Sequence, residues 1–135
     1  MKKTIQIFVG STLMLLCVIM ITCFNKSGYE HSLKIDIKPV QDVLIPERAI
    51  LIDANVKNGD KSVRYINEIN FEIWKKNSKK HEIIFASNLN DGTYRIQTMF
   101  PEGGEYYVRA IVNDNTLKET SQKVKLNVNK DEFIY

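Results

Sequence analysis

Residues 90–112 read Asn90-Asp91-Gly92-Thr93-Tyr94-Arg95-Ile96-Gln97-Thr98-Met99-Phe100-Pro101-Glu102-Gly103-Gly104-Glu105-Tyr106-Tyr107-Val108-Arg109-Ala110-Ile111-Val112. Two turn signals, Asn90-Asp91-Gly92 and Pro101-Glu102-Gly103-Gly104, bracket alternating stretches. Tyr94, Ile96, Thr98 and Phe100 share one parity, and Tyr106, Val108, Ala110 and Val112 share another. A period of two is the signature of a strand with one buried face. The pattern predicts two strands, and the short connection between them predicts that they pair directly.

The same alternation extends outward in both directions. Leu33, Ile35 and Ile37 oppose Lys34, Asp36 and Lys38. Ile50, Ile52, Ala54 and Val56 share a face, ahead of the turn sequence Asn58-Gly59-Asp60. Ile69, Phe71 and Ile73 alternate with Asn70, Glu72 and Trp74, and residues 82–86 form a further apolar run. Asn113-Asp114-Asn115 turns the chain before Val124, Leu126 and Val128. Seven such segments with no long amphipathic helix predict an all-β, immunoglobulin-like antiparallel sandwich. Each large inward side chain contributes ~1.5–3 kcal/mol to its core.

Residues 1–32 are of another kind. Met1-Lys2-Lys3 is a basic tip, and residues 4–22 carry no charge. A cationic start followed by an apolar run is the pattern of an export signal. At about 19 residues the run is also long enough to span a bilayer uncleaved. Met20-Ile21-Thr22-Cys23 resembles a bacterial lipobox. That resemblance implies a diacylglyceryl thioether on Cys23, further acylation such as palmitate, and Cys23 as the mature N-terminus. The expected organisation is a lipoprotein-type signal at 1–22, a tether at 23–32, a sandwich domain at 33–128 and a tail at 129–135. Cleaved or not, the segment places the domain on the extracytoplasmic face of the cell membrane.

Composition narrows the function. The chain has 135 residues, enough for one domain but not for a two-domain enzyme. From residue 23 onward 17 basic residues face 16 acidic ones, so no global field draws nucleic acid. The only cysteines are Cys17 and Cys23, which excludes a disulfide framework, a thiolate zinc site or a cysteine nucleophile in the domain. His31 and His81 are the only histidines and lack metal-ligand spacing; both are expected at the surface. No Gly-x-Ser-x-Gly motif supports a triad. No catalytic residue, metal ligand or cofactor site is therefore expected.

Other residues have structural readings. Trp74 is expected in the core, turned inward by a bulge, with a surface platform for sugar or peptide as the alternative. Tyr106 is expected to form a tyrosine corner, and Gly92 and Gly104 to supply positive φ at turns. Lys75, Lys76, Lys79 and Lys80 are expected on a solvated hairpin connection, with anionic lipid or wall polymer as the alternative contact. Asp53, Asp91 and Asp114 are expected to serve turns, since no loop has calcium-binding spacing.

Several fragments taken together resemble the YtkA-like domain, a family related to FixH-type proteins. They are Ala49, Ala54 and Val56 with Gly59-Asp60 and Val63, the run from Glu68 through Phe71-Glu72-Ile73-Trp74 to Lys75, Asp91-Gly92 with Tyr94, and Phe100, Gly104, Tyr106-Tyr107-Val108 and Ala110. The resemblance covers about residues 33–128. It implies an extracytoplasmic sandwich, often on a lipoprotein of Gram-positive bacteria. It also implies an association with respiratory oxidase assembly or copper handling. Typical members carry His and Met after the Tyr-Tyr-Val strand; residues 113–120 hold neither, leaving His31, His81 and Met99 as candidates. The expected function is a non-enzymatic, membrane-anchored module that binds an envelope protein or component. Accessory work in copper handling or oxidase assembly is the alternative.

Overall fold

A computed structural model describes residues 33–115 and 118–130. Cys17, the lipidation candidate Cys23, the tether with His31, and residues 131–135 lie outside the described residues. Among the described residues there are ten strands and no helix long and apolar enough to cross a membrane.

The strands are β1 Leu33–Pro39, β2 Ala49–Asn58, β3 Lys61–Ser62, β4 Ile69–Lys75, β5 His81–Phe85, β6 Ser87–Asn88, β7 Thr93–Met99, β8 Gly104–Asn113, β9 Lys118–Thr120 and β10 Val124–Val128. The first sheet runs β1-β2-β7-β6, with β3 also on β2. The second runs β10-β8-β4-β5, with β9 also on β8. This is the strand order of an immunoglobulin-like sandwich. All seven alternating segments of the sequence are strands. The additions are two- or three-residue pieces, too short to show a period.

The predicted pairing of the two strands in residues 90–112 is corrected. β7 pairs with β2 and β6, whereas β8 pairs with β4, β9 and β10. The chain from Met99 to Gly104 therefore crosses from one sheet to the other. The crossing is held by Tyr106, whose hydroxyl donates to Glu102 O at 2.9 Å while its ring lies 4.4 Å from that of Phe100. This is the expected tyrosine corner. Gly104 has φ +144°, and Gly103 passes so close to β10's end that a Cβ would stand 2.4 Å from Asn129 O.

The core lies between the sheets. Ile50, Ile52, Ala54 and Val56 meet Phe71, Ile73, Val108, Ala110 and Val112, all buried. Buried Tyr94 does more than fill space: its hydroxyl donates to Val63 O at 2.9 Å and accepts from Ile66 N–H at 3.0 Å. Burial pushes the phenols of Tyr94 and Tyr106 above their ordinary pKa, so both remain donors.

Two links join the layers at their sides. Leu44 forms a parallel bridge to Val128, and Asn129 N–H donates to Leu44 O at 2.9 Å. After β5 the chain leaves the second sheet: Ala86 N–H still bonds Ile69 O at 2.9 Å, while Ser87 and Asn88 pair with Arg95 and Tyr94 in the first. A strand that changes sheets in this way makes a corner of the sandwich.

Candidate functional site

The outward face of the second sheet is built by alternation. On β4, Ile69, Phe71 and Ile73 point into the core, so Asn70, Glu72 and Trp74 point out. Cross-strand partners share a face. Register therefore sets Trp74 between His81 on β5 and Tyr107 on β8. It sets Glu72 between Ile83 and Arg109, and Asn70 between Phe85 and Ile111.

Trp74 is corrected by this register. No bulge interrupts β4 between Ile69 and Lys75, so the ring stays on the outer side. It is not a bare platform either. His81 stacks on it at 4.6 Å between centroids and 10° between planes. Tyr107 lies 5.8 Å away, and the Arg109 guanidinium carbon is 5.5 Å from the ring centroid. Lys123 Nζ stands 4.5 Å from the centre of the Tyr107 ring.

Beneath this cover sits Glu72, the buried charged side chain of the described residues, 8% exposed. One carboxylate oxygen meets His81 Nδ1 at 2.5 Å, and the other accepts from Arg109 Nε. The bond to the Arg109 guanidinium holds the carboxyl below the usual carboxylate range; burial pushes the other way and His81 adds to the lowering. With both oxygens taken, Glu72 is neither a free nucleophile nor the raised-pKa carboxyl that a general acid requires. His81 is at the surface, as expected, but committed to Glu72 and Trp74.

The face also has charged and apolar margins. Glu105 takes Lys125 at 2.7 Å and Lys76 at 2.9 Å. Lys75 pairs with Glu102 at 2.6 Å, whereas Lys79 and Lys80 are exposed and unpaired among the described residues. The basic cluster thus spans the last residue of β4, Lys75, and the hairpin connection to β5 that carries Lys76, Lys79 and Lys80, with half of it neutralised locally. On the opposite margin Ile83 and Phe85 are 56% and 66% exposed.

The remaining candidates are dispersed. Asp53 is corrected from a turn residue to a strand residue: it lies in β2 opposite Arg95, which donates to it through Nε at 2.6 Å and Nη2 at 2.8 Å. Asp91 does serve its turn, accepting from Thr93 N–H at 2.9 Å, and Gly92 has φ +92°. Met99 ends β7 in the first sheet, whereas His81 begins β5 in the second. Among the described residues no group of three or more His, Cys, Asp or Glu is placed to hold a metal ion. Clefts of about 320, 680 and 230 Å³ open at the tyrosine-corner end, between β1 and β9–β10, and on the first sheet's outer face. None of these is lined by histidine or cysteine.

Sequence reasoning missed Glu72 and Arg109 as partners. Their signal was available once strands were assigned: each lies on the polar parity of its strand, and the β4–β8 register sets them opposite. Compared with protein-family models and with curated proteins, the chain matches none.

Proposed function

We propose that the chain is an extracytoplasmic lipoprotein whose sandwich acts as a non-enzymatic interaction module at the cell envelope. The outer face of the second sheet is its contact surface. The observation that carries the reading is the array of Trp74, Tyr107, His81 and Arg109, bordered by exposed Ile83 and Phe85. Aromatic residues and arginine on a rigid support are what protein contact surfaces concentrate. Buried Glu72 fixes Arg109 and His81 before any ligand arrives, which lowers the ordering cost of binding.

The anchor supplies the rest of the mechanism. The basic tip, the uncharged run of residues 4–22 and the lipobox-like Cys23 support a lipid tether on the outer side of the membrane. Tethering raises the domain's effective concentration for membrane partners. Two acyl chains hold firmly where one binds marginally. The YtkA-like resemblance supports the same setting. The copper-handling or oxidase-assembly alternative rests on that resemblance alone.

Photo-crosslinking tests the surface. A benzophenone side chain replacing Tyr107, in the full chain on its own membranes, is expected to capture a discrete partner. The same group at Lys57, exposed on β2 of the first sheet, is expected to capture none. Equal capture from both positions, or capture from Lys57 alone, would refute the assignment. Mass spectrometry tests the anchor: an intact Met1 with unmodified Cys23 would replace the lipid with an uncleaved membrane segment.

A further inference from the structure

The cleft of about 320 Å³ at the tyrosine-corner end lies at the small end of the ~300–1,000 Å³ that ligand pockets occupy. Its lining is largely apolar: Ile73 from β4, Phe100 and Pro101 from the arch between the sheets, and Met99, which is 58% exposed. Trp74 and Lys80 also line it, so the cleft reaches the margin of the second sheet's outer face. Three lysines near it are already paired, Lys75 with Glu102, and Lys76 and Lys125 with Glu105. Lys79 and Lys80, in the hairpin beside it, have no acidic partner among the described residues, and Glu82 is the carboxylate left to offset them. An apolar lining with surplus cations at the rim fits an occupant that is both apolar and acidic.

A segment of that chemistry starts at the cleft's margin. After β10 the backbone of Asn129 and Lys130 packs on Gly103, where a Cβ would stand 2.5 Å from Lys130 Cα. Glu102, the neighbour of Gly103, lines the cleft, and the Lys75 side chain lies against Gly104. Residues 131–135 follow and read Asp131-Glu132-Phe133-Ile134-Tyr135. We propose that this segment is the occupant, with Asp131 and Glu132 at the lysines and Phe133, Ile134 and Tyr135 over Met99 and Pro101. Reach permits it. Neighbouring strands lie about 4.8 Å apart, so β5, two strands from β8, is about 10 Å from the start of the segment. Five residues span at most about 17 Å. The order of residues matches the cleft as well: the acidic pair comes first, beside Lys75, and the apolar three follow, beside the apolar lining. The Lys75 ammonium has three donors, so its bond to Glu102 leaves it able to meet a second carboxylate. Covalent attachment favours this segment over a separate partner of the same chemistry, because a short connection holds it at an effective concentration of about millimolar. The tail then acts as a strap that closes the cleft and covers Met99. The inference rests on the cleft and the tail, not on the anchor or the outer face, so it can fail while the proposed function stands, and the reverse.

Disulfide trapping in the full chain tests the placement. Met99→Cys combined with Phe133→Cys is expected to form a disulfide under mild oxidation, in the monomer band of a non-reducing gel. Mass spectrometry of the linked peptides separates this bond from any made by Cys17 or Cys23. Lys57→Cys combined with Phe133→Cys is expected to form none. Ala49 of β2 pairs with Met99, and Lys57 lies eight residues further on, about 27 Å away and beyond the segment's reach. Oxidation of Met99 by peroxide gives an independent reading. Removal of residues 131–135 is expected to speed sulfoxide formation at Met99 at least about threefold, since an uncovered thioether at this exposure is open to the oxidant. Asp131→Lys combined with Glu132→Lys, which keeps the chain's length and opposes the lysines, is expected to do the same. No bond between positions 99 and 133, equal trapping from position 57, or Met99 oxidation unchanged in both variants would overturn the proposal. A bond found between two chains instead of within one would give the cleft to a neighbour's tail and refute it equally.

Discussion

Replacing Glu72 with glutamine keeps the side chain's shape and removes its charge. The wild-type carboxylate accepts from Arg109 and His81 while 8% exposed. Hydrogen bonds to charged groups contribute about 1.5–3 kcal/mol each when desolvated. Here the donors keep water: the Arg109 and His81 side chains are 40% and 35% exposed. A combined loss of about 1.5 kcal/mol is therefore expected at neutral pH. For a domain of this size that lowers the melting temperature by about 6–12 °C. The pH dependence sharpens the test. Glu72 titrates below its usual 4.5 in the folded chain, so the folded state binds fewer protons there than the unfolded state. Its stabilisation is full above the unfolded pKa and is lost as pH falls through the depressed folded value. Thermal unfolding followed by circular dichroism should show wild type and Glu72→Gln apart at pH 7 and converging in acid. A gap that stays constant down to strong acid, or no gap at pH 7, would refute the role assigned to this carboxylate.

Tyr106→Phe removes the bond to Glu102 O and keeps the ring; the expected loss is about 1 kcal/mol in urea unfolding. Gly103→Ala places a methyl against the backbone of Asn129 and should destabilise by about 1–3 kcal/mol, with loss of soluble yield the simplest readout. Trp74→Ala separates an outer-face residue from a core one. Removal from the outer face should cost well under the about 3–5 kcal/mol of a buried tryptophan, while abolishing crosslinking through a benzophenone at Tyr107.

Strands were legible in this sequence because each sheet has one wet face, and alternation records which side chains meet water. Ile50 to Val56 in β2 and Tyr106 to Val112 in β8 carry that record over seven residues each. Pairing was less legible. A hairpin and an arch between sheets leave the same alternation on both sides of a connection, so β7 and β8 read as neighbours. The corner at Tyr106 was the clue, since it belongs to a crossing between layers. Trp74 was misplaced because ring size argues for burial, whereas the parity of Ile69, Phe71 and Ile73 argues for the outer face, and parity prevailed. Asp53 looked like a turn residue by type; its place between Ile52 and Ala54 in β2 made it a cross-strand partner for Arg95 instead.

The candidate site was illegible for a related reason. Alternation says that Glu72 faces outward, and an outward carboxylate is ordinarily a solvated one. Only register reveals what lies over it: Trp74 from the same strand, Arg109 from β8, and His81 beside Trp74 from β5. A carboxylate taken from water needs partners that neutralise it, and those partners are held against an aromatic ring that leaves them little freedom. The same interactions that make Glu72's burial tolerable thus restrain the cationic and aromatic groups around it. A flexible surface with this composition would lose side-chain entropy on contact with a partner. Here much of that ordering belongs to the folded state, so the recognition proposed for this surface would depend on the charge on one carboxylate.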